Sequence, residues 1–184
     1  MPTEQEYKYV INPSFVHDYG EDKIRLSSER FFLINQGYLS SSESMTTRIR
    51  HTIEEGQITK WYLTFKQKVN NRVIEIETVI DERDGKDLWT LCKGRIDKIR
   101  FVYSQDNFKW EIDLFYKIGE NHKDDKLYFV LAEVEVPEGS APPPDLEMLR
   151  PYILHRASLF DDRFSNKKLG DVDYAVSLLN ELLE

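Results

Sequence analysis

The chain has 184 residues, a single cysteine and a net charge of −8, with a pI near 5.1. That length lets one domain bury a core without disulfides or metal staples. The lone Cys92 excludes an internal disulfide and points to a reducing compartment. The acidic balance argues against general nucleic-acid binding, and no uncharged run approaches the ~20 residues of a membrane span. With a polar, charged N-terminus that does not read as a signal peptide, the expectation is a cytoplasmic protein that binds neither nucleic acid nor membrane.

The first predicted element is extended. In "EQEYK", Glu4, Glu6 and Lys8 stand two apart, which places them on one face of a strand. Strand patterning returns at Phe31–Ser40, Thr46–Thr52, Lys60–Lys68 and Val73–Ile80, separated by turn chemistry at Glu55-Gly56 and Asn70-Asn71. A short helix over Asp87–Lys93 ends at Gly94. Strands follow at Lys98–Tyr103, Lys109–Tyr116 and Lys126–Val136, with turns at Asp106-Asn107 and Gly119-Glu120-Asn121. Pro142-Pro143-Pro144 and then Asp145 form a stiff lead-in and N-cap for a helix over Leu146–Leu154. After Gly170, Val172, Ala175, Leu178, Leu179 and Leu182 share one face of a closing amphipathic helix. No repeat and no long linker divides the chain, so residues 1–184 read as one mostly antiparallel domain.

Seven segments carry like charges two apart: Glu4/Glu6, Arg48/Arg50, Lys66/Lys68, Glu75/Glu77, Lys98/Arg100, Glu111/Asp113 and Glu133/Glu135. The residues between them are mostly apolar. One reading is a sheet with one face on a core and the other in water. Against it, the strands segregate by sign, which is mildly unfavourable across a sheet. The other reading is a closed barrel whose charged faces point inward and whose apolar faces are covered by helices. Such an interior holds a basic wall and an acidic wall, and a condensed phosphate with divalent cations satisfies both.

These motifs resemble those of the CYTH superfamily, the triphosphate tunnel metalloenzymes. The family's ExExK appears as Glu4, Glu6 and Lys8. It is followed in order by "QGYLS" (36–40), "TRIR" (47–50), "LTFK" (63–66), "EIE" (75–77), "KIRF" (98–101), "WEIDLF" (110–115), "AEVE" (132–135) and "DDRFSNKKLG" (161–170). The resemblance implies a closed eight-stranded antiparallel β-barrel tunnel, helices packed outside it, a C-terminal helix, and a triphosphate bound lengthwise. It implies that Lys8, Arg48, Arg50, Lys66, Lys98 and Arg100 grip phosphate oxygens, with Lys68 beside them. Glu4, Glu6, Asp113, Glu133 and Glu135 would hold two ions of Mg²⁺ or Mn²⁺. Glu4, Glu6, Lys8, Arg50, Glu133 and Glu135 would carry the catalysis. Glu75, Glu77 and Glu111 rank behind these, as salt-bridge partners of the bases.

One departure concerns the arginine that the family places two residues before its ExE strand. Val73 stands there, and Arg72 precedes it. His17, His51, His122 and His155 have no mutual metal spacing. Cys92 reads as core, Trp61, Trp89 and Trp110 as outer packing, and Asn166 as a loop-fixing residue.

The resemblance leaves three chemistries: hydrolysis of inorganic tripolyphosphate, hydrolysis of thiamine or nucleoside triphosphate, and cyclisation of ATP. Thiamine-specific relatives place a Trp where this chain has Thr46, and no aromatic or amide cluster for a base stands on the expected tunnel strands. The expectation is therefore a tripolyphosphatase, monomeric or homodimeric, acting on a small-molecule triphosphate. A non-catalytic polyphosphate or nucleotide binder is the alternative, and the many carboxylates speak against it.

Overall fold

Where the sequence alternates, the chain is extended. The computed structural model describes residues 4–42, 45–54, 59–69, 72–117, 126–159 and 161–184, with backbone only for Glu4, Ser41, Lys68, Arg72 and Val73. The turns at Glu55-Gly56, Asn70-Asn71 and Gly119–Asn121 lie outside those residues, as does His122. The strands are β1 (Glu4–Ile11), β2 (Arg30–Ser41), β3 (Met45–Glu54), β4 (Thr59–Val69), β5 (Arg72–Ile80), β6 (Lys93–Gln105), β7 (Phe108–Lys117), β8 (Lys126–Pro137) and β9 (Ile153–Arg156). The helices are α1 (Ser14–Tyr19), α2 (Glu21–Ser27), α3 (Glu82–Thr90), α4 (Asn166–Leu169) and α5 (Val172–Leu183). None is long and apolar enough to cross a membrane.

The residues group into two compact units, Phe32–Lys98 and the two flanking segments Met1–Phe31 with Ile99–Glu184. Strand β6 gives its first part to the central unit and its second to the flanking one. The strand order is β5-β4-β3-β2-β6 in the central unit and β6-β7-β8-β1-β9 in the flanking unit. Every β1, β3–β5 and β8 pairing described is antiparallel.

In the flanking unit, Tyr9, Trp110, Ile112, Leu114, Val130, Ala132 and Val134 share a buried face. Phe15 of α1, Ile24 of α2 and Leu149 seal that face. The turn at Asp106-Asn107 is tight, with φ of 53° and 65°, the left-handed pair that a two-residue hairpin needs. The closing helix α5 begins where expected, and Asp171 caps it by accepting from the Tyr174 N–H at 3.1 Å. In the central unit, α3 lies on the apolar face of β2–β4. A Cβ on Gly37 would stand 2.7 Å from Cys92 Cβ, and one on Gly85 would stand 2.4 Å from the Trp61 ring. Glycine at both places is what lets helix and strands approach. His51 stacks on Trp61 at 4.3 Å, so this histidine packs rather than ligates.

Three expectations are corrected. Among the described residues the strands number nine, not eight, and β5 has only β4 as a neighbour while β9 has only β1, so the described ladder is not a closed eight-stranded ring. The extra strand exists because the helix expected over Leu146–Leu154 stops early. Pro151 has no N–H and disfavours α geometry before it. The chain instead makes a 3-10 turn over Glu147–Tyr152 and then extends along β1. Asp145 is not its cap; its carboxylate takes Arg156 at 2.5 Å. Helix α3 starts five residues before the expected Asp87, because Asp81 caps it by accepting from Asp84 N–H at 2.9 Å. Helices α1 and α2 have six and seven residues and bury one apolar side chain each, too little for a period to show in the sequence.

Candidate triphosphate site

The flanking unit gathers one charged face. Cross-strand register sets Glu6 opposite Glu135 and Lys8 opposite Glu133 on β1 and β8, and Glu111 opposite Glu133 on β7 and β8. Residues paired across an antiparallel ladder point to the same side. Asp113, two along from Glu111 and opposite Leu131, belongs to that face and is fully buried (0% exposed), while Glu133 is 4% exposed.

Arg100 is the hub. It donates to both Asp113 oxygens at 2.6 Å, to Glu133 Oε2 at 3.1 Å and to Glu111 Oε2. Such bidentate pairing is among the strongest charge-assisted hydrogen bonding available to a side chain. Lys8 Nζ sits between Glu133 Oε1 at 2.5 Å and Glu6 Oε2 at 2.8 Å. Four carboxylates (Glu6, Glu111, Asp113, Glu133) thus face Lys8, Arg100 and the more exposed Lys109.

The imbalance shows in the acidities. Burial, and then the Glu133 carboxylate, push Glu6 above the usual carboxylate range against the pull of Lys8. Burial works against the Lys8 ammonium, yet Glu133 and Glu6 outweigh it and hold Lys8 above the usual lysine range. Arg100 is held above its usual range in the same way, with burial outweighed first by Asp113.

The central unit carries a second charged face. Register places Gln36, Tyr38, Arg48, Arg50, Thr64, Lys66, Glu75 and Glu77 on one side of β2–β5. Contacts here are longer. Arg48 reaches Glu75 at 3.5 Å and Glu77 at 3.7 Å, Arg50 reaches Glu77 at 3.8 Å, and Lys66 reaches Glu75 at 3.1 Å. Thr64 donates to Glu77 at a shorter 2.7 Å. Glu75 is lowered: burial would raise it, but Lys66, Arg48 and Arg50 together win. Lys98, at the end of this unit's part of β6, is buried.

The geometry sorts the sequence-predicted residues. Glu6, Lys8, Arg100, Asp113 and Glu133 meet directly in the flanking unit, with Glu135 exposed on the same face. Arg48, Arg50 and Lys66 meet in the central unit, and Glu75 and Glu77 are their ion-pair partners. The side chains of Glu4, Lys68 and Arg72 lie outside the described residues. Asp113 gives both oxygens to Arg100, so its place is that of a guanidinium partner in this arrangement. Gln36 and Thr64 were not singled out from the sequence. Their signal was a polar residue at a buried position within a strand, Gln36 lying between the buried Ile34 and Tyr38.

Among the described residues, no group of three or more His, Cys, Asp or Glu side chains is arranged to hold a metal ion. What the flanking cluster does show is a surplus of negative charge. Carboxylates outnumber cations, Glu6 resists ionisation, and the ammonium of Lys8 stands between two carboxylates where positive charge is needed.

No family model matches the chain. A curated relative from Acetivibrio thermocellus, named inorganic triphosphatase, is 29% identical over 141 residues, covering 74% of this chain and 79% of that protein. A solved structure of a Hippeastrum adenylyl cyclase candidate with a dominant triphosphatase activity superposes with a TM-score of 0.51. It is 18% identical and covers 73% of this chain and 80% of its own. An adenylate cyclase candidate from Bacillus halodurans gives 0.52 at 14% identity, covering 81% and 97%. The chain resembles the CYTH superfamily. That resemblance now has a mainly β fold beside the ordered motifs, and a charged strand face in each unit to carry them.

Proposed function

We propose that the chain is a metal-dependent triphosphatase whose substrate is inorganic tripolyphosphate, cleaved to pyrophosphate and phosphate. The observation that carries this reading is the face shared by Arg48, Arg50 and Lys66. Three cations gather there against two carboxylates, and that excess of positive charge suits a chain of phosphates. The relative named inorganic triphosphatase supports it.

Arg48 and Arg50 grip bridging and terminal oxygens because a guanidinium fork binds two at once. Lys66 adds a point charge. Phosphoryl transfer asks little covalent work of a protein, so positioning and charge stabilisation supply most of the acceleration. In the flanking unit, Arg100 fixes the Glu133 carboxylate through Oε2, and Lys8 holds both Glu133 and Glu6 in orientation. Glu6, Glu133 and Glu135, with Glu4, would hold Mg²⁺ or Mn²⁺, which when bound supplies positive charge to the phosphates and acidity to water. A cytoplasmic location belongs to this same reading.

The test is a panel of tripolyphosphate, ATP, GTP and thiamine triphosphate with each metal, assayed for free phosphate and for cyclic nucleotide. The expected result is phosphate from tripolyphosphate, dependent on metal. Cyclic nucleotide from ATP would replace the reading with a cyclase, and binding without turnover would replace it with a phosphate-binding protein.

A further inference from the structure

Gln36 is 1% exposed, and one end of its amide is fixed: Nε2 donates to the Tyr38 hydroxyl at 2.9 Å. The other end is not. Gln36 Oε1 is buried and has no hydrogen-bond partner among the described residues. A buried carbonyl oxygen without a donor carries its desolvation cost with nothing to offset it, and native structures keep few such atoms. Register says which donor stands nearby, since Gln36 on β2 pairs directly with Arg50 on β3, on the same face. Directly opposed side chains start with Cβ atoms roughly 5 Å apart, within reach for a glutamine and an arginine. A guanidinium has five N–H donors and no acceptor, so it can serve this oxygen and an anion at once.

We propose that Gln36 is a positioning residue for Arg50, its Oε1 accepting a hydrogen bond from the Arg50 guanidinium while that group engages a phosphate. The inference rests on the triphosphatase reading for its functional meaning. The amide is suited to the task by being neutral. A carboxylate at the same place would orient the guanidinium equally well but would cancel its charge and compete with the phosphate for it. Tyr38, which holds the other end of the amide, pairs with Arg48. The Gln36–Tyr38 link therefore ties the placement of one arginine to the strand position of the other, fixing the spacing at which the pair meets successive phosphates.

The experiment uses the full chain, with Gln36→Met as the apolar near-isostere and Gln36→Glu as the variant that keeps an acceptor. Three quantities are read: kcat and KM for tripolyphosphate with Mg²⁺ or Mn²⁺, the urea midpoint, and the ¹⁵Nε–¹H signal of Arg50, assigned through Arg50→Lys. That signal is followed while metal-free tripolyphosphate is added, so no turnover occurs. Gln36→Met should lower kcat/KM about tenfold or more, as misplacement of a binding group does. Its urea midpoint should hold or rise, because an unpaired buried acceptor has been removed. In the wild type the Arg50 Nε–H should become slow to exchange with tripolyphosphate bound; Gln36→Met should abolish that protection. Gln36→Glu should restore it while raising KM. An Arg50 signal that responds alike in wild type and Gln36→Met, or does not respond in the wild type, overturns the proposal. So does a Gln36→Met protein with kcat/KM within twofold of wild type. A wild type without phosphate release overturns the triphosphatase reading alone. The Arg50 signal, which needs only the anion, then still decides the role of Gln36.

Discussion

The two units solve one electrostatic problem in opposite ways. In the flanking unit the charges are desolvated and locked: Asp113 is wholly buried, and Arg100 meets it twice at 2.6 Å. In the central unit the arginines meet their carboxylates at 3.5–3.8 Å, and Lys66 and Glu75 are exposed. Acidity follows the local majority. Glu6 is pushed up where carboxylates prevail, and Glu75 is pulled down where bases prevail. Carboxylates outnumber cations in the flanking cluster, and cations outnumber carboxylates on the central face. Position along the strand decides which side chains meet; burial decides whether they are held for stability or left for a ligand.

The largest expected effect tests that division. Breaking a buried ion pair from one side leaves an uncompensated charge and costs roughly 3–5 kcal/mol. Arg100→Met removes the two-pronged partner of the buried Asp113 and one of the cations on Glu133, and urea denaturation should show a loss of that order or no folded protein at all. Arg48→Met, whose partners stand further off and in part exposed, should cost no more than about 1 kcal/mol while raising KM for tripolyphosphate. Equal stability losses in the two variants would erase the distinction between the units.

A second test asks whether looseness in the central unit is confined to its charged face. Alanine normally favours a helix over glycine by about 1 kcal/mol. At Gly85 the added Cβ would stand 2.4 Å from the Trp61 ring, a rigid atom set rather than a flexible tip. Overpacking of this kind typically costs 1–3 kcal/mol, so Gly85→Ala should lower the urea midpoint despite its better propensity. A raised midpoint would mean that the apolar face yields as readily as the charged one.

Legibility in the sequence divides along the same lines. Alternation marked β2–β8 because apolar and polar residues take turns along each, and a period of two survives in the string even in β5, whose Ile74, Ile76 and Val79 are exposed. It did not mark β9, whose four residues are extended only because Pro151 ends the turn before them and β1 offers a free edge. The pairs Glu6/Lys8 and Arg48/Arg50 were legible as same-face residues because spacing alone sets that. The grip of Arg100 on Asp113 was not, since it depends on β6 and β7 lying side by side and on the burial of Asp113. The same holds for Gln36, whose burial comes from its neighbours and not from its own chemistry.

A smaller effect, carried by metal, sharpens the contrast within the flanking unit. Mg²⁺ or Mn²⁺ bound to the folded chain alone stabilises it by RT ln(1 + [L]/Kd), about 2.7 kcal/mol at 100 times Kd. Either ion should raise Tm in the wild type and less so in Glu6→Gln or Glu133→Gln, while Lys66→Met keeps the full shift. A metal-induced shift that survives both glutamate variants would place the ion elsewhere.

The smallest expected effect is a pH dependence read from Glu75 in the central unit. Its carboxyl is lowered on folding, so the folded chain binds fewer protons there than the unfolded one between the two values. Stability then rises with pH across that window. The contribution is fully present above the usual carboxylate range and is lost as pH falls through the lowered folded value. Glu75 and its partner Lys66 are both partly open to water, so salt screens the effect and its size stays small. Urea midpoints of wild type and Glu75→Gln, measured from neutral pH downward at low ionic strength, should therefore converge on acidification, because the variant lacks the group that titrates. Added salt should shrink the neutral-pH gap. A wild type less stable than Glu75→Gln at neutral pH would mean that Glu75 is destabilised in its folded setting, as Glu6 is, and the assignment of a base-rich central unit would fall with it.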